Sequence, residues 1–267
     1  MAVTNGWGQG VDNNTINWGR GSNNSTNNWG AIYGSSASGD TALEVSTPSY
    51  SNTKSVDFDG VDDYVSIGNP TELQITGDIT VSAWVKVGTN TTQVIFGKDD
   101  GTNNSYIFYL SAGKPAMVLW TTSSSVYNQT VSGTTVGDGS WHHLMWVKSG
   151  SNYKIYIDGS LVINQSKSAV INNSTATATI GSRIRTASPL YTTGNIDEVA
   201  VWNSDQSGNI ASIYSASGGV DLSSLSPVLW YRMGDGDTYP TLTDNGSGSN
   251  NGTMTNMVSG DIVSDTP

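Results

Sequence analysis

The chain has 267 residues, a formal net charge of −11 and no cysteine. The acidic balance argues against nucleic acid and anionic membranes as partners, because phosphate groups are bound by clustered Lys and Arg. The lack of cysteine excludes disulfides and thiolate metal sites. No run of about 18 apolar residues is present, so no membrane insertion is expected. The first residues, Met1–Gly8, show no secretory-signal pattern.

Residues 1–52 form a distinct N-terminal arm built on a Trp-Gly repeat. Trp7, Trp18 and Trp29 stand eleven residues apart, and glycine follows each of them. A fixed period predicts repeated small units, here three strand-and-turn units with one aromatic anchor each. Other apolar residues are few, so the arm is not expected to fold alone. Its tryptophans are predicted to anchor the chain on another protein or on a sister copy; a flexible low-complexity tail is the alternative.

From residue 53 the sequence changes to short β-branched or aromatic runs bounded by Gly, Asn, Asp or Ser, which predicts strands. Eleven such runs are predicted between residues 55 and 202. Asp158-Gly159 lies between two of them and predicts a two-residue hairpin turn. Many short strands at this spacing favour a sandwich or a barrel.

The later part of the chain contains a few further elements. One brief helix is predicted at Ser207–Ser215, because Ile210, Ile213 and Tyr214 would share one face. A last strand is predicted within Val228–Asp235, where it would close the sandwich or pack on its edge. Residues 236–267 are rich in Gly, Asn, Ser and Thr and are predicted to form an irregular C-terminal tail.

Five motifs, in this order and at this spacing, resemble the laminin-G/concanavalin A-like β-sandwich family. They are Asp57–Val65, Val81–Lys86, Trp141–Leu144, Ile155–Gly159 and Gly194–Val199. The resemblance covers residues 53–217. It implies an all-β fold, a two-sheet antiparallel jelly-roll sandwich over residues 53–235, flanked by the arm (1–52) and the tail (236–267). A fold of this kind hosts many functions, so it constrains function only weakly.

The resemblance also implies a structural calcium ion at the rim of the sandwich, the one cofactor expected here. Calcium is bound by several carboxylate and carbonyl oxygens presented by loops. Asp59, Asp62 and Asp63 share one tight turn, and the resemblance places Asp197 on a strand nearby. The alternative is that these carboxylates only cap turns.

Glycan binding is a second expectation from the resemblance. Sugar sites pair aromatic faces with amide and hydroxyl groups that give directed hydrogen bonds. Tyr106, Tyr127 and Tyr191 are the candidate aromatic residues, because each stands in or beside a segment rich in Asn, Ser and Thr. Each segment is equally well explained as an ordinary solvated turn.

The resemblance also raises the question of catalysis, because related sandwiches include glycoside hydrolases. Those enzymes place two carboxyl groups about 5 Å or about 6.5–9.5 Å apart. Asp197 and Glu198 are adjacent, so they are expected to point to opposite faces of their strand. The Glu-x-Asp-x-Glu pattern of concanavalin-like glucanases is absent. His142 and His143 are also adjacent and are interpreted as structural, since neighbouring strand residues diverge. No enzyme is therefore expected.

The Trp-Gly and Asn-Asn-Thr pattern of the arm resembles N-terminal segments of structural proteins of tailed-phage virions. We therefore expect a non-enzymatic bacteriophage virion protein of the fibre or capsid-decoration type, exposed on the particle surface. The arm would bind other virion proteins, and the sandwich would decorate the particle or bind host-surface glycans. A homo-oligomer is expected, with a trimer as its form. A secreted bacterial carbohydrate-binding or adhesion module and a glycoside hydrolase are the alternatives.

Overall fold

A computed structural model describes residues 50–121, 126–130, 134–167, 170–185 and 188–267, with the backbone alone for 126–130. The arm residues Trp7, Trp18 and Trp29 lie outside the described residues. Within these ranges, no helix has the length and apolarity needed to cross a membrane. Residues 51–267 form one unit with a shared core.

Short runs of β-branched and aromatic residues form strands, as their composition predicts. The described residues contain 18 strands. In chain order they are β1 (Ser55–Asp59), β2 (Tyr64–Gly68), β3 (Ile79–Lys86), β4 (Gln93–Asp99), β5 (Asn104–Ser111), β6 (Lys114–Trp120), β7 (Val126–Thr130), β8 (Trp141–Ser149), β9 (Asn152–Ile157), β10 (Ser160–Ser166), β11 (Ala178–Ile180), β12 (Ser182–Arg183), β13 (Leu190–Tyr191), β14 (Thr193–Trp202), β15 (Leu229–Tyr231), β16 (Thr241–Leu242), β17 (Gly252–Thr255) and β18 (Ile262–Val263).

The strands form two large sheets and one small ribbon. The first sheet has the order β10-β9-β8-β3-β14-β1-β18, with β15 also paired to β14. The second sheet has the order β16-β17-β2-β11-β4-β5-β6-β7, and β12 and β13 form a separate two-stranded ribbon. The strand pairs are antiparallel. The prediction of an all-β, two-sheet antiparallel sandwich is therefore confirmed.

The core lies between the two sheets, because alternate residues of each strand point inward. On β3, Val81, Ala83 and Val85 are buried in this core. Phe108 of the second sheet and Trp146 of the first meet across it, with ring centroids 5.5 Å apart. Burying one such large apolar side chain stabilises the fold by about 1.5–3 kcal/mol.

The predicted turn and helix are both present. Asp158 and Gly159 connect β9 to β10 with φ of 48° and 74°, the two positive values that a type I′ hairpin turn requires. The helix is shorter than predicted: a 3-10 turn at Ser207–Asn209 runs into a single α-helical turn, α1 (Ile210–Ile213).

The C-terminal segment differs from the expected irregular tail. β17 pairs with β2, with Met254 opposite Val65, and β18 pairs with β1, with Ile262 opposite Val56. β15 pairs with β14, which confirms the predicted last strand. Composition suggested a tail because Gly, Asn and Ser dominate, but Leu242, Met254 and Met257 enter the core. Residues 229–263 therefore contribute to both sheets.

Candidate functional site

An open cavity of ≈ 360 Å³ lies on the outer face of the second sheet. On β5, Tyr106, Phe108 and Leu110 belong to the core. The alternate residues Ile107 and Tyr109 therefore point away from the core and into this cavity. We name it the arginine pocket; its lining residues are Thr92, Val94, Ile107, Tyr109, Val118, Trp120, Arg183, Arg185 and Leu190.

The β12–β13 ribbon forms one wall of the arginine pocket. Arg183 pairs directly with Leu190 in this ribbon, so their side chains lie on the same side of it. The floor is apolar because β4, β5 and β6 contribute Val94, Ile107 and Val118. The pocket thus combines an apolar floor, two aromatic side chains and two guanidinium groups.

Arg185 is held by an ion pair with Asp99. Its Nε donates to Asp99 Oδ1 at 2.8 Å and its Nη2 donates to Oδ2 at 2.6 Å, a bidentate geometry. The Asp99 side chain is fully buried at 0% exposure, and it also accepts a hydrogen bond from the backbone N–H of Gly101. The Arg185 guanidinium lies 5.5 Å from the ring centroid of Trp120, within cation–π range. The ion pair with Asp99 thus holds the Arg185 guanidinium beside the Trp120 ring.

Arg183 is held less completely. Its Nη2 donates to the carbonyl oxygen of Ser188 at 2.9 Å and lies 3.4 Å from Ser188 Oγ. Its Nε is buried and has no hydrogen-bond partner among the described residues. Burial and the neighbouring Arg185 lower the pKa of the Arg183 guanidinium from its ordinary value. Burial also raises the pKa of the Tyr109 hydroxyl, so this group is neutral at pH 7.

The size and chemistry of the arginine pocket suit a small ligand. Its volume of ≈ 360 Å³ falls in the range of about 300–1,000 Å³ that is usual for ligand sites. An apolar lining with a few directed polar groups is also usual for such sites. The aromatic rings can pack on the face of a sugar ring, while guanidinium N–H groups can donate to its oxygens.

The three predicted tyrosines do not converge on this pocket. Tyr106 is fully buried, and its hydroxyl donates to the Leu73 carbonyl, so it is not available to a glycan. This prediction is corrected, because the outward aromatic residue of β5 is Tyr109. Tyr191 is half-buried and stands next to Leu190, but it faces the opposite side of the ribbon. Tyr127 lies on β7, and its side chain is outside what the structure describes.

The acidic turn between β1 and β2 brings three carboxylates together. Asp59, Asp62 and Asp63 each place one carboxylate oxygen within 4.8 Å of the others. Oxygens on opposite sides of a calcium ion are about 4.6–5.2 Å apart, so the three carboxylates fit as part of its six to eight ligands. Two of them also organise the turn: Asp59 Oδ1 accepts from the Val61 N–H at 2.7 Å, and Asp63 Oδ2 from the Asp59 N–H at 3.0 Å.

Asp197 is not part of this cluster, which corrects the predicted metal ligand set. Asp59 stands opposite Thr193, four residues before Asp197 on β14, which is roughly 13 Å along a strand. The Asp197 carboxylate accepts hydrogen bonds from Asn52 Nδ2 and from the Glu198 N–H, both at 2.8 Å. It is fully buried.

A β-bulge brings Asp197 and Glu198 to the same face, so the prediction that they diverge is wrong. The register of β14 on β3 shifts between Asp197 and Ala200, and Glu198 has a φ of 50°. Asp197 pairs with Trp84, while Glu198 shares a small buried cavity with Ser82 and Trp84. Burial and the nearby Glu198 raise the pKa of the Asp197 carboxyl well above its ordinary value.

The two histidines take separate structural positions. His143 Nε2 lies 2.8 Å from Ser82 Oγ, beneath the rings of Trp84 and Tyr214. Burial lowers the pKa of His143 to about 4, so this ring is neutral at pH 7. His142 faces the other way and contacts the Asp158 carboxylate at 2.8 Å.

Sequence reasoning missed the residues that make the arginine pocket. Arg183 and Arg185 are not among the residues predicted for glycan contact, which are Tyr106, Tyr127 and Tyr191. A signal was available: the chain has four arginines, and two of them stand two residues apart next to a short strand. Side chains at that spacing share a face. The link to Asp99, 86 residues away, could not be read from the sequence.

Comparisons with known proteins agree on the fold. A model of the concanavalin A-like lectin/glucanases superfamily matches residues 59–209. A candidate carbohydrate-binding protein from Bacteroides ovatus is 18% identical, with a TM-score of 0.61; the match covers 81% of this chain and 60% of that protein. At such an identity the likeness concerns the fold alone.

Two further solved structures are similar at TM-scores below 0.5. A heptameric SAP-like pentraxin from Limulus polyphemus is 17% identical, with a TM-score of 0.47 over 61% of this chain and 82% of that one. Domains LG4-5 of the mouse laminin α1 chain are 16% identical, with a TM-score of 0.45 over 56% of this chain and 41% of that one. A search of curated proteins found no match.

Proposed function

The chain belongs to the concanavalin A-like lectin/glucanase superfamily, and on that premise we propose that it is a lectin-type protein that binds a glycan in the arginine pocket. The observation that carries the proposal is the pocket itself. It places Trp120 and Tyr109 beside two guanidinium groups on an open face of the second sheet. Aromatic faces with directed donors nearby are what a sugar ring needs from a protein.

Substitution of the pocket tryptophan tests this proposal. Trp120→Ala should weaken binding about five- to thirtyfold, since one aromatic contact contributes on the order of 1–2 kcal/mol. Tyr191→Ala is the matched control, because Tyr191 lies beside the pocket wall but faces the other way. Binding would be measured on a glycan array and then by calorimetry on each sugar that binds. Loss of binding in Tyr191→Ala with none in Trp120→Ala would place the site elsewhere.

We also propose that the protein binds its glycan without hydrolysing it. The buried positions of Asp197 and Glu198 support this, as do their contacts: Glu198 Oε2 accepts from Trp230 Nε1 at 2.7 Å. Two engaged carboxylates below the surface are poorly placed to act as an acid and a nucleophile on a sugar. Mass spectrometry of a bound oligosaccharide after long incubation provides the test. Shorter products would contradict the proposal and favour the glycoside hydrolase alternative.

A structural calcium ion in the acidic turn is a further part of the proposal. The cluster of Asp59, Asp62 and Asp63 supports it. Asp62 is the informative position, because no hydrogen bond of its carboxylate is present among the described residues, so Asp62→Asn leaves the turn bonds in place. Calcium at about 100 times its Kd would add about 2.7 kcal/mol of stability, and Asp62→Asn should lose most of that gain. If the melting temperature of the unsubstituted protein is the same with calcium and with chelator, the protein does not bind a structural calcium ion.

The setting that we propose is the surface of a bacteriophage particle. The Trp-Gly repeat supports it, since the tryptophans of the arm need a partner surface, either other virion proteins or copies of this chain in a homo-oligomer. Many copies on one particle would turn weak sugar binding into useful avidity. A chain lacking residues 1–50 should fail to join particles while keeping its glycan binding. Particle incorporation without the arm would contradict the anchoring role.

A further inference from the structure

The arginine pocket carries one more positive charge than its neighbours neutralise. Arg185 is paired with Asp99 through two hydrogen bonds of 2.8 and 2.6 Å. Arg183 has no carboxylate hydrogen-bond partner among the described residues: its Nη2 donates to the uncharged carbonyl of Ser188 and lies near the Ser188 hydroxyl. Among the described residues that line the pocket, none is acidic.

The surroundings of Arg183 make this extra charge unfavourable without a ligand. The Arg183 Nε is buried and lacks a hydrogen-bond partner among the described residues, and Leu190 pairs with Arg183 along the ribbon. Asp99 lies close enough to act on the charge of Arg183, but its carboxylate is already paired with Arg185. A partly desolvated cation that is not fully neutralised destabilises a protein. An anionic group bound to the Arg183 guanidinium, which lines the pocket, would neutralise this charge.

The positive charge of the pocket contrasts with the negative charge of the protein as a whole. The net charge is −11, with 11 basic residues against 22 acidic ones. Long-range attraction therefore does not bring an anion to this protein, and only local contacts can hold one. The guanidinium fork is the side chain best suited to that task, because it binds carboxylate and similar oxyanions in a bidentate way.

We propose that the ligand of the arginine pocket is an acidic glycan, whose carboxylate or sulfate group binds Arg183 while a sugar ring packs against Trp120. This inference rests on the proposed glycan-binding function and specifies its ligand class. Asp99 then has a defined role as a positioning residue: it occupies Arg185 and leaves Arg183 as the free anion-binding group.

The first test compares each acidic sugar with its own neutral form. The probes are sialylated, uronic-acid and sulfated oligosaccharides on an array, each beside its carboxyl-reduced or desulfated counterpart. The acidic forms should bind and the neutral counterparts should not. The carboxylated and sulfated arms distinguish the two sources of negative charge, and preferential binding in either arm supports the proposal. Binding of neutral sugars alone would overturn it.

The second test uses variants of Arg183. Arg183→Gln should weaken binding of the acidic sugar about ten- to a hundredfold, the effect expected for a hydrogen bond to a charged group. Arg183→Lys should restore part of it. Lys154→Gln removes an equal charge from β9 of the other sheet, where Lys154 contacts Ser207. This control variant should bind the acidic sugar as tightly as the unsubstituted protein does.

The outcomes separate this inference from the proposed function. If neutral glycans bind and Trp120→Ala weakens that binding while Arg183→Gln does not, the glycan site stands and the acidic ligand is wrong. If the folded protein binds no glycan on the array, both are wrong. Should Arg183→Gln fail to fold in a thermal melt, the comparison of acidic and neutral sugars on the unsubstituted protein still decides.

Discussion

At the scale of single residues, two adjacent histidines on β8 have pKa values shifted in opposite directions. His142 contacts the Asp158 carboxylate at 2.8 Å, and this hydrogen bond raises the pKa of His142 from its ordinary value of 6.5. His143 is fully buried against Ser82, and burial lowers its pKa to about 4. Neighbouring strand residues face opposite sides, so each ring meets a different environment.

His142→Gln is predicted to remove a pH-dependent part of the stability. A histidine whose pKa is raised on folding contributes stability that is fully present below its unfolded pKa of 6.5. That contribution is lost as the pH rises through the higher folded pKa. We expect the variant to be less stable by about 1 kcal/mol at about pH 5.5, with the gap narrowing by about pH 8.5.

Urea unfolding of both proteins at the two pH values measures this gap. His143 is present in each protein, so its opposite contribution cancels in the difference. Asp158 also accepts a hydrogen bond from the His143 N–H at 2.9 Å, and His142→Gln leaves that bond intact. An equal loss of stability at both pH values would show that the ion pair of His142 with Asp158 does not contribute.

At the scale of elements, the β9–β10 turn packs against the outer layer of the first sheet. A Cβ on Gly159 would lie 2.6 Å from Cδ1 of Tyr214, and Gly159 has a φ of 74°. The Tyr214 ring in turn lies 5.8 Å from Trp84 and 5.4 Å from His143. The turn therefore joins two strands and also packs against Tyr214, the ring that covers the buried Ser82–His143 pair.

Gly159→Ala should destabilise the fold more than Gly150→Ala does. Both glycines have positive φ, 74° and 53°, so both substitutions are strained by about 1 kcal/mol. A Cβ on Gly150 would meet nothing within 4 Å, whereas one on Gly159 would meet Tyr214. That overpacking should add about 1–3 kcal/mol. Chemical denaturation of the two variants gives the comparison, and equal losses would show that the Tyr214 contact is unimportant.

The same turn shows which elements could be predicted from the sequence. Asp158-Gly159 was readable because a type I′ turn depends on two adjacent residues. The bulge at Glu198 was not, because a register shift depends on how β14 meets β3 and on the packing around it. The arginine pocket was also hidden: β12 and β13 have two residues each, too short for a periodic pattern. The acidic turn was found because its three aspartates are neighbours in sequence.

At the scale of the whole molecule, the last forty residues complete the sandwich. Asp244 accepts hydrogen bonds from the N–H groups of Trp230, Gly246 and Asn250, each at 2.8 Å. The polar composition that suggested an irregular tail thus builds an ordered loop between β16 and β17.

A chain that ends at Gly236 is predicted to lose cooperative folding. It would lack Leu242, Met254 and Met257, three core side chains that contribute about 1.5–3 kcal/mol each. Together these contributions approach the total stability of a domain, which is about 5–15 kcal/mol. The pairing of β17 with β2 and of β18 with β1 would be lost as well. Removal of residues 1–50 should leave the melting temperature unchanged, because residues 51–267 have their own core.

Calorimetric melting of the two truncated chains compares these effects directly. Met254→Ala provides a milder version, with an expected loss of about 2–5 kcal/mol for a buried methionine. Thr253→Ala is its control, because Thr253 is exposed on the same strand and should shift stability by less than about 0.5 kcal/mol. If the Gly236-terminated chain melts cooperatively at the temperature of the full-length protein, the C-terminal strands do not contribute to the stability of the sandwich. If that chain no longer melts cooperatively, and the chain without residues 1–50 melts at the full-length temperature, residues 51–267 are the folding unit.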